Sequence, residues 1–71
     1  MTDISALKSV IEDSGMTMVA IAKKAGMVRE TLYNRLNGIG EFTASEIIGL
    51  SEALHLKNAD RERIFFTRRV E

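Results

Sequence analysis

The chain of 71 residues contains no cysteine and no proline, has a single histidine, and carries equal numbers of acidic and basic residues. The absence of cysteine excludes disulfides and thiolate metal sites and is compatible with a reducing compartment. The absence of proline suits a chain made mostly of helices with short connections. A chain of this length makes one domain, residues 1–71, with a small core.

Signals for membranes, secretion and catalysis are also missing. No apolar run approaches the roughly 18 residues of a membrane span, and the N-terminal segment, with an acid at Asp3, lacks a basic and apolar signal pattern. His55 has no plausible catalytic or metal-binding partner nearby in the sequence. We therefore expect a soluble, cytoplasmic domain that is not an enzyme and has no cofactor, no metal and no membrane partner.

The zero net charge argues, taken alone, against a nucleic-acid binder, but its distribution is uneven. Residues 17–37 carry four basic residues against the single acid Glu30, a balance of plus three, and the remainder carries six basic against nine acidic residues. This separation predicts one face that attracts phosphate on a neutral molecule. The alternative is that these basic residues are ordinary solvated helix surface.

The central stretch, residues 18–37, predicts two short helices joined by a tight turn. Ile21, Ala22 and Ala25 lie at helical spacing and precede Gly26, which suits a helix end with positive φ. Leu32 and Leu36 then mark the inner face of a second helix. Two helices this short, connected through a glycine, indicate a helix-turn-helix.

Local signals place five helices along the chain, the two of the central stretch and three others. Asp3 can cap a first helix over 4–14, Thr17 a second over 18–25, and a third follows over 29–37. Thr43 and Glu46 have the capping-box spacing before a fourth helix over 44–55, with His55 in its last turn. Asn58 or Asp60 can cap a fifth over 59–66, which leaves a frayed tail at 67–71. The fold class is therefore an all-α, compact five-helix bundle.

Apolar spacing predicts which side chains fill the core. The inner face of the fourth helix comprises Ile47, Leu50, Ser51 and Leu54, and Phe42 is expected to anchor the connection before it. Phe65 and Phe66 are adjacent and cannot both point inward from a helix. The sequence leaves open which of them is exposed.

The outer face of the third helix has the chemistry for reading bases. Arginine can fork to guanine, asparagine can pair with adenine, and glutamate can accept from cytosine, whereas Tyr33 can donate to a phosphate and Thr31 can touch a thymine methyl group. The alternative is a solvated polar surface. The predicted DNA-binding residues are Thr17, Lys23, Lys24, Arg29, Glu30, Thr31, Tyr33, Asn34, Arg35 and Asn37.

These residues resemble the phage-repressor and Cro-type helix-turn-helix family, whose fold is the lambda-repressor-like bundle of five helices. The resemblance runs from about Leu7 to Phe66 and is carried by Ile21, Ala22, Ala25, Gly26, Met27, Leu32 and the Leu36-Asn37-Gly38 ending. It implies binding to double-stranded DNA in the major groove, with Arg29, Glu30 and Asn34 facing bases and Thr31, Tyr33 and Arg35 beside them. Family members commonly bind as dimers, and here the C-terminal segment with Ile64, Phe65 and Phe66 is the candidate contact.

Three positions depart from that family pattern. Val28 stands where a capping serine or threonine is usual, and Arg35 stands where an apolar residue is common, so we expect Arg35 to turn outward toward phosphate. The loop at 38–41 lacks the usual basic residues. An alternative function is therefore a protein-interaction module, antitoxin-like or anti-repressor-like, that keeps the fold without binding DNA.

Overall fold

A computed structural model describes residues 1–67 and confirms the predicted all-α fold class: within this part of the chain there are five α-helices and no strand. The helices are α1 (Ile4–Ser14), α2 (Met18–Ala25), α3 (Arg29–Leu36), α4 (Ala44–Ala53) and α5 (Asn58–Phe65). The first two match their predicted bounds, α3 and α4 end one and two residues earlier than predicted, and α5 both begins and ends one residue earlier. The predicted tail, apart from Thr67, lies outside the described residues.

Three of the helices begin at side-chain caps that the sequence predicts. Asp3 accepts a hydrogen bond from the amide of Ala6 at 3.0 Å, and Thr17 accepts one from Ala20 at 3.1 Å. Thr43 accepts from the amide of Glu46 at 3.2 Å, while the Glu46 carboxylate accepts from the amide of Thr43 at 3.0 Å, which completes the capping box. Each cap satisfies an amide that the helix itself leaves without an acceptor.

The predicted cap of α5 is wrong. Lys57 occupies the cap position and makes no side-chain capping bond, whereas Asn58 and Asp60 both lie inside the helix. Asn58 accepts a hydrogen bond from Arg61 at 3.2 Å, and Asp60 pairs with Arg63 at 3.6 Å. Both side chains therefore face partners one turn later along α5 rather than the free amides at its start.

Three helix ends share one backbone arrangement, the Schellman motif, in which a residue with positive φ reverses the chain. After α2 this residue is Gly26, and the amide of Met27 donates to the Ala22 carbonyl at 2.9 Å. Gly38 takes the same place after α3. After α4 the place is taken by His55, with φ 55°, so its predicted position in the last helical turn is wrong.

The core draws at least two buried side chains from every helix. The residues that are fully covered are Leu7, Ile21, Leu32, Leu50 and Ile64, one from each helix. Ile47, Leu50, Ser51 and Leu54 are all buried, as the spacing predicts. Met16 and Phe42 are partly buried and pack against this cluster. All five helices therefore contribute apolar side chains to one core, because none of them could bury its own apolar face alone.

Helices α2 and α4 approach closely enough for backbone to meet backbone. A Cβ atom at Gly49 would collide with the carbonyl oxygen of Ala25 and would lie 3.0 Å from the Ala25 carbonyl carbon. Ala22, a small residue on α2, is also buried. Only glycine fits at position 49. The contact between Gly49 and Ala25 therefore allows α2 to lie this close to α4.

The end of α5 closes the bundle near the beginning of the chain. The amide of Asp3 donates to the carbonyl of Ile64 at 2.6 Å. Phe65 is buried and meets Phe42 edge to face, with ring centroids 5.5 Å apart, whereas Phe66 is 54% exposed. The choice left open by the sequence is therefore settled: Phe65 faces inward. Among the helices of residues 1–67, none is long and apolar enough to cross a membrane.

Candidate nucleic-acid interface

Helix α3 is attached to the bundle through a narrow apolar stripe and presents part of its polar surface outward. Leu32 and Leu36 are its two buried residues. Arg29, Glu30 and Tyr33 are exposed, Asn34 is half-buried, and Asn37 is exposed at the helix end. Thr31 is also half-buried. The predicted outward orientation is thus confirmed for four of the five polar residues and holds in part for Asn34.

The beginning of α3 brings several of these side chains together. Val28, Arg29, Glu30 and Tyr33 line one shallow surface depression. Among residues 1–67, no side-chain hydrogen bond or ion pair involves Arg29, Glu30 or Tyr33. Their donors and acceptors are therefore available to a ligand, and their exposure means that the fold does not need them for packing.

Val28 leaves the first turn of α3 without a side-chain cap, as its identity predicts. Its backbone, with φ −72° and ψ 134°, is extended like that of the two threonine caps, whose ψ angles are 158° and 164°, yet its side chain offers no acceptor. The first amides of α3 therefore lack both a helical carbonyl and a cap. Such amides, together with the positive end of the helix dipole, suit an anion.

The preceding helix carries exposed positive charge in its last turn, before the chain turns into α3. Lys23 and Lys24 are exposed in the last turn of α2, where the helix dipole also favours a cation. Thr17 is exposed at the start of α2. Its oxygen accepts the capping bond from Ala20, and its hydroxyl proton remains available for donation.

Arg35 does not turn outward, and that expectation is wrong. Its Nε lies 3.3 Å from Oε1 of Glu46, and its Nη1 donates to the carbonyl of Ile39 at 3.2 Å. Only 22% of the side chain is exposed. The guanidinium also covers Gly40, so Arg35 ties the loop between α3 and α4 to the capping box of α4.

This pairing changes the local charge balance. Because Glu46 lies outside residues 17–37 and neutralises Arg35, the cations of that segment that remain exposed are Lys23, Lys24 and Arg29. Against Glu30 they leave an excess of two positive charges, rather than the three that the sequence suggests. The electrostatic attraction for phosphate is correspondingly weaker but keeps its sign.

The C-terminal segment supplies less surface than the sequence suggests. Ile64 is fully buried and Phe65 is 2% exposed, so neither can contact a partner without unfolding α5. Phe66 alone of the three is exposed.

Sequence reasoning missed two features that the tertiary structure brings out. Gly49 gives no local signal, because a glycine within a helix can equally be neutral filler. Ile48, next to Ile47 on α4, is 54% exposed and lies in one groove with Phe66. Both features depend on residues more than fifteen positions away along the chain.

Comparison with known proteins provides no relative for this chain. No family model, no curated protein and no solved structure matches it. The function must therefore be argued from the geometry and chemistry of the chain itself.

Proposed function

We propose that this protein is a sequence-specific DNA-binding transcriptional regulator of the phage-repressor and Cro type, located in the cytoplasm. In this proposal α2 and α3 form a helix-turn-helix, and α3 enters the major groove. The observation that carries the proposal is the outer face of α3, where Arg29, Glu30 and Tyr33 are exposed without partners among residues 1–67. A polar helix face that the fold does not use is available to a ligand.

The side chains on this face match the donors and acceptors of base edges. Arg29 can donate two hydrogen bonds to guanine, Asn34 can pair with adenine, and Glu30 can accept from cytosine. Tyr33 can donate to a phosphate oxygen. Mixed chemistry of this kind favours reading of sequence over purely electrostatic attachment.

Phosphate contacts come from residues around that face. Lys23 and Lys24 supply exposed cations, and the uncapped amides of α3 and the Thr17 hydroxyl supply further donors. With two exposed lysines per protomer on phosphates, the logarithm of affinity should fall with the logarithm of salt concentration with a slope of about −1.8.

The test begins with selection of bound sequences from a random DNA pool, followed by fluorescence anisotropy on the selected duplex. Arg29→Ala should weaken binding to the selected duplex by about 1–3 kcal/mol and relax the sequence preference at one base pair. Lys23→Ala should weaken binding evenly across sequences and reduce the salt slope by about one. The matched controls are Arg63→Ala on α5 and Lys8→Ala on α1, both exposed residues outside this face.

Failure to bind mixed-sequence DNA at low salt would contradict the proposal and favour the interaction-module alternative, which the exposed Phe66 ring supports. Equal losses in the Arg29 and Arg63 variants would contradict the assignment of α3 as the reading helix. Unchanged melting temperatures in all four variants would show that the losses arise at the interface.

The proposal includes two copies on one DNA site. A dimer presents two reading helices about 34 Å apart, which matches half-sites one turn of DNA apart. A palindromic product from the selection would support this arrangement.

A further inference from the structure

The end of α3 places an exposed asparagine directly before a glycine. Asn37 is the C-cap of the helix, and its side-chain amide makes no hydrogen bond with a residue of 1–67. Gly38 follows with φ 82°, a backbone angle that glycine adopts at low cost. A Cβ atom at Gly38 would meet nothing within 4 Å, so the space beside it is open. The turn therefore favours, after Asn37, the residue type whose backbone nitrogen is least shielded.

We propose that Asn37 is a modification site, at which the chain deamidates its own asparagine to aspartate or isoaspartate when the last turn of α3 opens. The backbone nitrogen of Gly38 loses its proton and attacks Cγ of Asn37. A five-membered imide ring forms as the bond from Cγ to Nδ2 breaks and ammonia leaves with that proton. Water then opens the ring at either of its two carbonyls. The net reaction consumes one water and releases one ammonia, with no oxidation or reduction, and it changes the chain covalently.

The closed helix end holds the attacking nitrogen away from its target. The Gly38 amide donates to the carbonyl of Arg35 at 3.1 Å, and the Ile39 amide donates to the Asn34 carbonyl at 2.9 Å. Asn37 has ψ 8°, which turns the Gly38 nitrogen toward the amide of Asn37 and away from its Cβ. Both the hydrogen bonds and this angle must change before Cγ can be reached. The reaction therefore requires a local opening of the turn.

One side chain fastens this turn to the rest of the bundle. Nη1 of Arg35 donates to the carbonyl of Ile39 at 3.2 Å, while its Nε pairs with Glu46 of α4 at 3.3 Å. Leu36, immediately before Asn37, is buried in the core and anchors the preceding residue. The frequency of opening is thus set mainly by how often Arg35 and the two backbone bonds release the turn.

The consequence for DNA rests on the proposed function. The exposed residues of segment 17–37 carry an excess of two positive charges, which falls to one when Asn37 becomes an acid. An isoaspartate also adds one carbon atom to the backbone and displaces Gly38 from its hydrogen bond. The modified chain therefore attracts phosphate less strongly at the end of α3. Bound DNA should in turn stabilise the closed turn and slow the reaction.

Timed incubation of the full chain in mildly alkaline buffer, followed by peptide mass spectrometry, measures conversion at each of its three asparagines. Asn37 should convert first. The other two, Asn34 and Asn58, lie within helices and are followed by residues whose side chains hinder the attacking nitrogen. Conversion at Asn37 should be faster in the urea-unfolded chain than in the native chain. Asn37→Gln, which would have to close a larger ring, should show no conversion at this position.

Release of the fastening tests whether local opening controls the rate. Arg35→Met should accelerate conversion of Asn37 in native buffer by about 5–30-fold, because the open turn becomes more populated by that factor. The matched control is Val10→Ala on α1, which loses packing against the core but leaves the end of α3 intact. It should leave the rate in native buffer unchanged. Equal acceleration in the two variants would place the reaction in the unfolded chain and overturn the local control.

The effect on DNA is measured separately, on the selected duplex. Asn37→Asp should weaken binding by about fivefold at low salt, the size of one charge–charge repulsion in water, and by less at high salt. Undiminished binding would overturn this consequence and leave the proposed function standing. Absence of conversion at Asn37, or earlier conversion at Asn34 or Asn58, would overturn the modification site. Conversion at Asn37 in a chain that binds no DNA would support the site and contradict the proposed function.

Discussion

The crossing of α2 and α4 and the outer face of α3 differ in how closely their residues are packed. Ala25 of the crossing and Arg29 of the outer face are only four positions apart in the chain. At the crossing, the backbone of Gly49 meets the carbonyl of Ala25, and no space remains for one extra carbon atom. On α3, Arg29, Glu30 and Tyr33 are exposed and pair with nothing among residues 1–67. Steric fit fixes the close approach of α2 to α4, whereas the side chains of the outer face take no part in packing the fold.

The difference shows that a small domain can present a polar helix that has few stabilising interactions of its own. Helix α3 is uncapped at Val28 and is attached through Leu32 and Leu36. Its neighbours α2 and α4 have full threonine caps. Side-chain caps therefore stabilise the beginnings of α2 and α4, whereas α3 depends on its packing against the bundle.

The largest expected effect comes from adding one methyl group at the crossing. Gly49→Ala would gain up to about 1 kcal/mol of helix propensity, but the collision with Ala25 forces backbone to move and should cost about 3 kcal/mol net. In a domain of this size that lowers the melting temperature by roughly 12–24 °C. Thermal denaturation followed by circular dichroism measures it, with the exposed Ser45→Ala of the same helix as control. A more stable Gly49→Ala variant would show that the crossing is looser than described.

Arg35 joins the two regions, because it lies on α3 and pairs with Glu46 of α4. Arg35→Met should lower the free energy of unfolding by about 1–2 kcal/mol, since a half-buried pair and a bond to the Ile39 carbonyl are lost. Its effect on DNA binding should differ from that of Lys23→Ala. Because the Arg35 charge is already neutralised by Glu46, the salt slope should stay at its original value. A slope reduced by about one would restore Arg35 to the phosphate contacts.

The beginning of α3 can be given a side-chain cap like those of α2 and α4 by a substitution at residue 28. Val28→Ser places a hydroxyl at the cap position that threonine occupies in α2 and α4, on a backbone that is extended at all three positions. We expect a gain of about 0.5–2 kcal/mol in chemical denaturation, because the amide of Thr31 acquires an acceptor. Val28→Ala, which supplies no acceptor, is the control and should give no such gain. Equal stability of the two variants would contradict the placement of the cap.

The smallest effect is expected at the end of α4, where His55 holds a positive φ. A left-handed residue other than glycine costs about 1–2 kcal/mol, and glycine's own entropic cost is about 0.5–1 kcal/mol. His55→Gly should therefore stabilise the domain by about 0.5–1 kcal/mol, measured by the same denaturation. His55→Ala keeps the unfavourable φ and should not stabilise. If both variants behave alike, the imidazole and not the backbone determines the energy at this position.

Signals within a few residues of one another were sufficient for much of this architecture. The caps at Asp3, Thr17 and Thr43 and the turn at Gly26 each depend on hydrogen bonds to neighbours in sequence, so residue type and spacing predict them. Local signals fail at Lys57, where a helix starts without a side-chain cap, and at His55, where a left-handed turn forms without glycine. Leu54 and Leu56, on either side of His55, both pack in or against the core, so tertiary packing holds that turn.

By itself, the sequence determined where the helices lie, which of their faces are apolar, and that a polar face follows the turn at Gly26. Only the tertiary structure decided that Gly49 meets Ala25, that Arg35 turns to Glu46, that Phe65 and not Phe66 is covered, and that Ile48 shares a groove with Phe66. The physical reason is range. Helix formation and capping act over three or four residues, whereas close packing and the pairing of charges depend on which distant segments the folded chain brings together.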